Sequence, residues 1–246
     1  METDIRAPHG YRDIFCCHCG LKITVPVRCT SKLCIPCRHA RLFRIRQRLY
    51  ATLAKFKPSD GYAWKHLILT IPNTMDLYPG IKHIVSSFRR FRQTKSWKSH
   101  VAGGFYIIEI TNKGHQWHPH LHVICYAKFY PWQQIYTRWH AASKNGAHIH
   151  VKQIWNNVGI AGYISQYLTK IPHLDHADAI TYDLDTKSMR MYNSFGNLHV
   201  LFGQTKLPKY QRPCPKCQCT SWQGEEEQQR LIRRYCPIRT NKASPF

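Results

Sequence analysis

The chain has 246 residues, with 36 lysines and arginines against 13 acids and a formal net charge of +23. Its hydrophobic content of 43% is enough for a packed core, which excludes a disordered basic tail, and no run is long and apolar enough to span a membrane. Such a charge excess calls for a polyanionic partner, most simply nucleic acid, and the length suits one catalytic domain with small appendages.

From the N-terminus, the first signal is cysteine. The 11 cysteines gather near both ends, and only Cys125 falls in the middle. The chain opens Met-Glu-Thr-Asp without an apolar leader, so the expectation is a reducing cytoplasm with metal-bound thiolates rather than a secreted disulfide scaffold. Cys16-x2-Cys19 and Cys34-x2-Cys37 read as two knuckles, each aiming two sulfurs at one point, and together they make a tetrahedral zinc site. Cys17, His18 and Cys29 stay open as substitutes within that quartet.

After Cys37, the residues Leu42, Ile45, Leu49 and Leu53 recur at helical spacing. Arg38, Arg41, Arg44 and Arg48 spread over the rest of this helix without acidic partners, which favours a face turned toward phosphates. A turn cluster at 57–61 marks a boundary. Beyond it the pattern predicts a strand over 64–71, a basic helix over 81–98 and a strand over 105–111. A polar connection over 112–118 leads to a strand over 120–127, a helix over 132–142, a strand over 148–154 and a helix over 159–170. The order β-α-β-β-α-β-α predicts an α+β fold with helices packed on an antiparallel sheet. Three parts follow: a zinc module with its basic helix over 1–60, a core over 61–172, and an extension over 173–246. The extension carries Cys214, Cys217, Cys219 and Cys236, which offer a second metal knuckle.

The most telling stretch is His118-Pro119-His120-Leu121-His122-Val123. Side chains alternate along a strand, so His120 and His122 share one face while Leu121 and Val123 enter the core. Two imidazoles usually need a carboxylate to complete a catalytic metal site. Glu109, isolated among Ile107, Ile108 and Ile110, reaches the same face if the two strands form a hairpin. Open positions and an oxygen ligand suit Mg²⁺ or Mn²⁺. His148 and His150 repeat the spacing in a later strand, without a carboxylate-bearing strand just before them. Tyr163 and Tyr167 stand one helical turn apart, with Lys170 three residues further on. A phenol is a weak nucleophile at its ordinary pKa, and a metal polarising the phosphate or a cation beside it supplies the missing activation. Aromatic residues, 13% of the chain, suit stacking against single-stranded bases as well as filling a core.

Together these motifs resemble the HUH endonuclease superfamily of rolling-circle replication initiators and related transposases. Leu67-Ile68-Leu69-Thr70-Ile71-Pro72-Asn73 is similar to its first strand motif, His118 to Val123 looks like its metal motif, and Tyr163-x3-Tyr167-x2-Lys170 looks like the nucleophile motif of its two-tyrosine branch. Cys34-Ile35-Pro36-Cys37 and the basic helix resemble the front end of plasmid and phage initiators. The resemblance implies an antiparallel-sheet nuclease core, ferredoxin- or RRM-like, behind a zinc module. It implies nicking of single-stranded origin DNA, typically at a hairpin, with a 5′-phosphotyrosine and a free 3′-OH as products, followed by rejoining. It also implies His120, His122 and Glu109 as metal ligands, Tyr163, Tyr167 and Lys170 as catalytic groups, and Tyr167 as the first choice for the initial attack. No Walker A run is present, so no nucleotide cofactor is expected, and a host helicase and DNA polymerase in a bacterial or archaeal cytoplasm would complete replication. A two-tyrosine transposase is the alternative within the family. A non-catalytic zinc-module DNA-binding regulator is the alternative outside it.

Overall fold

The computed structural model describes residues 11–27, 29, 31–114, 116–144, 148–154, 159–168, 170, 172–207 and 213–224. They fall into two compact units, one made of 1–29 with 208–246 and the other of 30–207. Cys236 lies outside the described residues.

The larger unit is α+β. Its five strands are β3 (Ala63–Thr70), β4 (Val101–Lys113), β5 (Gln116–Ala127), β6 (Ile149–Gln153) and β7 (Tyr192–Gly196), counted after two strands of the smaller unit. They form one antiparallel sheet in the order β6-β3-β5-β4-β7, so β5 is central. Period-two alternation makes both faces of the sheet apolar. On one face Leu67, Leu69, Tyr106, Ile108, Leu121 and Val123 are buried against α2 (Leu77–Gln93) and α4 (Trp132–Ser143), through Ile81, Ile84, Phe88, Phe91, Ile135 and Trp139. On the other, Trp64, Phe105, Ile107, Ile124 and Tyr126 meet α1 (Ile35–Ala54), α5 (Ile160–Leu168) and α7 (Asn197–Gln204), through Ile45, Leu49, Ile160, Ile164, Leu198 and Phe202. Each such fully buried side chain contributes about 1.5–3 kcal/mol.

Where the elements differ from expectation, local chemistry gives the reason. The helix expected over 81–98 begins earlier and is split into α2 and α3 (Lys95–His100). Thr94 breaks it with an extended backbone, and its side chain caps α3 by accepting from the Trp97 amide at 3.2 Å. The polar connection at 112–118 is replaced by a longer hairpin, in which β4 and β5 pair as far as Lys113 and Gln116, and Gly114 supplies the positive φ of the turn. Pro119 is tolerated in the central strand because β3 ends at the Thr70–His120 pair, so no neighbour on that side needs its missing amide.

The expected boundaries near 60 and 172 both fall inside the larger unit, because α6 (His176–Thr186), β7 and α7 pack onto the same sheet. The smaller unit is a three-stranded sheet of β1 (Tyr11–Cys16), β2 (Lys22–Pro26) and β8 (Trp222–Gly224), in the order β2-β1-β8. Among the described residues, no helix is long and apolar enough to cross a membrane.

Candidate active site

The hairpin register sets Glu109 directly opposite His120, while His122 faces Ile107 one step further along. The ligand atoms of Glu109, His120 and His122 all lie within 4.8 Å of one another. The Glu109 carboxylate meets His122 Nε2 and pairs with Lys170 Nζ at 2.9 Å. Burial alone would raise the pKa of Glu109, but the hydrogen bonds from His122 and Lys170 outweigh it and hold the carboxyl at about 2. Burial, and then His118, pushes His120 down to about 4. A charged carboxylate beside an imidazole kept neutral is the donor set a hard or borderline divalent cation requires, so these residues fit Mg²⁺ or Mn²⁺. Thr111 Oγ1, 3.2 Å from His120 Nε2, steadies that ring. His118 packs its ring edge-on against His120, with 4.5 Å between ring centroids. His148 and His150 are exposed and join no metal-holding group among the described residues.

Above this set, α5 carries the two phenols. Tyr167 stacks on His122, with ring centroids 4.1 Å apart and planes 24° from parallel. Tyr167 donates to the Tyr163 hydroxyl at 3.3 Å. Lys170 lies over the Tyr167 ring, 5.0 Å from its centroid, while also paired with Glu109. Burial, and then the neighbouring Tyr167, raises Tyr163 to about 12, so it is protonated at neutral pH.

One group escaped the sequence reading. His66 of β3 sits between His122 and the phenols. Its Nε2 is 3.0 Å from His122 Nδ1, and its Nδ1 is 2.8 Å from the Tyr163 hydroxyl. Burial, and then His122, lowers His66 to about 3, so its ring is neutral. The available signal was a histidine on the same strand parity as Trp64, just before the apolar run Leu67 to Leu69.

A cationic cleft of about 370 Å³ opens beside Tyr167. Lys32, Arg38, Arg41, Lys170, Lys187 and Arg190 line it, with no carboxylate among the lining residues. Nε and Nη1 of Arg38 are buried without a hydrogen-bond partner among the described residues. Such orphaned donors are costly unless an anion reaches them. Arg41 is partly engaged, donating to the Ser31 carbonyl at 3.0 Å. Arg44 is exposed away from this cleft. Arg48 is tied to α7, donating through Nε to the Phe202 carbonyl at 3.0 Å, with its guanidinium 4.2 Å from the Phe202 ring centroid. Of the four expected phosphate-facing arginines, Arg38 and Arg41 therefore line the cleft and Arg48 is held by packing.

The cysteines regroup. Sulfurs of Cys16 and Cys19 lie with those of Cys214 and Cys217, all within 4.8 Å of one another, and not with Cys34 and Cys37 as proximity in sequence favours. Cys34 and Cys37 are buried at the head of α1 in the larger unit, while Cys29 is half-buried in the smaller one. The reason is the β1–β8 pairing, which brings the second knuckle beside the first.

Comparison with known proteins agrees with this picture over part of the chain. The chain is 33% identical over 101 residues to a "Protein rep" of Bacillus amyloliquefaciens, covering 39% of this chain and 30% of that protein. A "Protein rep" of Bacillus sp is also 33% identical over 101 residues, covering 39% of this chain and 33% of that protein. The chain thus spans about a third of the length of the curated relatives it matches. No solved structure matches it. Residues 20–141, which include His66, Glu109, His120 and His122 but end before the two tyrosines, match the model of the Rep_1 family, described as "Replication protein".

Proposed function

We propose that this chain is a rolling-circle replication initiator of the two-tyrosine HUH kind, which nicks single-stranded origin DNA and rejoins it through tyrosine. One observation carries the proposal: Tyr167 stacks directly on His122, so a phenol and the Glu109–His120–His122 set address the same point. The likeness of residues 20–141 to replication proteins supports the biological setting.

Bound by Glu109, His120 and His122, Mg²⁺ or Mn²⁺ would polarise the scissile phosphate and stabilise the leaving 3′ oxygen. Everything else falls to the chain's own groups. The cleft with Arg38, Arg41, Lys187 and Arg190 binds the backbone phosphates and leads a strand past Tyr167. Tyr167 Oη attacks phosphorus, a new P–O bond forms to the phenol, the bond to the 3′ oxygen breaks, and that oxygen takes a proton from water to leave a 3′-OH. The Tyr167 proton has a path already drawn, since its O–H donates to Tyr163 and Tyr163 in turn bonds His66. Lys170 stays close enough to both the phenol and the carboxylate to balance charge on the phosphate. Tyr163 serves the second transfer that rejoins the strand. A host helicase opens the duplex, and a host polymerase extends the 3′-OH.

The test is an SDS-resistant adduct between the full chain and labelled origin-like single strands in Mn²⁺. Tyr163→Phe and Tyr167→Phe should each retain partial activity, and the double variant should form none. An adduct surviving in the double variant refutes both nucleophiles. Salt-sensitive binding with no adduct from the native chain replaces the nickase by a DNA-binding regulator.

A further inference from the structure

We infer that Cys16, Cys19, Cys214 and Cys217 bind a single zinc ion that clasps residues from the two ends of the chain into one module. The inference is independent of the nicking reaction. It rests on three observations.

The first is the sulfur geometry. Cys16 Sγ lies 3.5 Å from Cys217 Sγ, and Cys19 Sγ lies 3.6 Å from Cys214 Sγ. Disulfide sulfurs sit at about 2.0 Å, whereas four sulfurs around a tetrahedral zinc at about 2.3 Å are about 3.8 Å apart. The sulfurs meet across the two knuckles as well as within each, all four within 4.8 Å of one another, as one shared ion demands.

The second is that the two knuckles have the same backbone. The Cys16 amide donates to the Leu21 carbonyl at 2.9 Å, and the Cys214 amide donates to the Cys219 carbonyl at 2.8 Å. The Gly20 amide donates to the Cys16 carbonyl at 2.9 Å, and the Gln218 amide donates to the Cys214 carbonyl at 2.8 Å. Both turns pass through a left-handed residue just after the second cysteine, Gly20 at φ 70° and Gln218 at φ 61°. Glycine adopts that conformation freely, but glutamine does so at a cost of the order of 1 kcal/mol. Backbone amides also point at the sulfurs in a repeated pattern, from Leu21 to Cys19 and from Cys219 to Cys217. Amide donors aimed at thiolates are the usual outer support of a zinc knuckle.

The third is how little apolar burial the described residues of the smaller unit show, beyond an exposed Lys22–Asp13 ion pair. Among the described residues of the smaller unit, the buried apolar side chains are Cys16 and Cys214. A three-stranded sheet without a hydrophobic core needs a staple, and a structural metal is the one these residues can provide. Four thiolates select zinc over hard cations.

Cysteine reactivity in the native, reduced full chain tests this without any mutation. Iodoacetamide labelling read by mass spectrometry should leave Cys16, Cys19, Cys214 and Cys217 protected as a set, and a strong chelator should expose all four together. Metal analysis should show that Cys16→Ser and Cys214→Ser each lose the same one zinc per chain, that the double variant loses no more, and that Cys219→Ser keeps the native content. Free labelling of Cys214 and Cys217 while Cys16 and Cys19 stay protected would overturn the shared site. Additive zinc losses in the double variant, a disulfide within the set, or iron in place of zinc would overturn it too.

Discussion

His66 Nδ1 lies 2.8 Å from the Tyr163 hydroxyl, while the other nitrogen of the same ring is 3.0 Å from His122 Nδ1. A ring fixed at both nitrogens dictates the tautomer of its neighbours. His66→Phe keeps an aromatic ring and removes both bonds, leaving the buried Nδ1 of His122 without its partner at about 1–3 kcal/mol, while the half-buried Tyr163 hydroxyl keeps its bond from Tyr167. Adduct formation through Tyr163, isolated in a Tyr167→Phe background, should fall by about 10²-fold or more, and formation through Tyr167 should fall less. Equal losses in both backgrounds would reduce His66 to a packing residue. Single-turnover gel assays distinguish the two results.

Acid should weaken the larger unit in a defined window. His66 and His120 have pKa values of about 3 and about 4, below the ordinary 6.5, so the unfolded chain takes up their protons first. Their contribution is whole above pH 6.5 and declines as pH falls toward those values. Glu109, held at about 2, adds a loss that begins near its ordinary 4.5 and acts in the same direction. Urea unfolding in chelator should therefore show stability falling from pH 7 to pH 4, with each histidine accounting for at most about 3 kcal/mol. His120→Gln should flatten the curve, and an unchanged slope would contradict the assignment.

Two arginines of α1 should separate binding from folding. Arg38→Ala should weaken single-strand binding and lower the salt slope by about 1, since Arg38 lines the cleft and two of its nitrogens have no partner among the described residues. Arg48→Ala should leave that slope unchanged and cost about 1–2 kcal/mol of stability, because it bonds the Phe202 carbonyl and stacks on that ring. Binding titrations at several salt concentrations, with parallel denaturation curves, check both.

Gly104 should tolerate no side chain. A Cβ there would strike the Ile124 carbonyl and come within 2.8 Å of the Cys125 Cα, both backbone of the central strand. Gly104→Ala should cost at least about 1–3 kcal/mol, read as a lower urea midpoint, while Gly203→Ala, with open space around its Cβ, should change little by comparison.

The larger sheet was legible where apolar runs carry polar residues on one face. His120 and His122 stand two apart before the run to Ala127, and Glu109 breaks the run from Phe105 to Ile110, which was enough to foresee the hairpin and the face the three share. What stayed hidden depends on distant parts of the chain. Lys187 and Arg190 join Arg38 in the cleft only because α6 and β7 fold back onto the sheet. Cys214 meets Cys16 only because β8 pairs with β1, and three residues of strand leave too short a pattern to read. His66 was hidden for another reason: a single histidine in an apolar strand has no spacing partner, and its meaning comes from what stands across the ladder.

The strand that carries His120 and His122 is flanked on both edges, by β3 from His120 to Ala127 and by β4 over its whole length. The imidazoles are therefore mounted in advance of any ligand, and a cation held as proposed would meet little ordering cost. Ion affinity at this centre should follow coordination chemistry alone. An exchange of Mn²⁺ for Mg²⁺ would then retune the rate and leave the scaffold, and with it the register of the DNA strand, where it was.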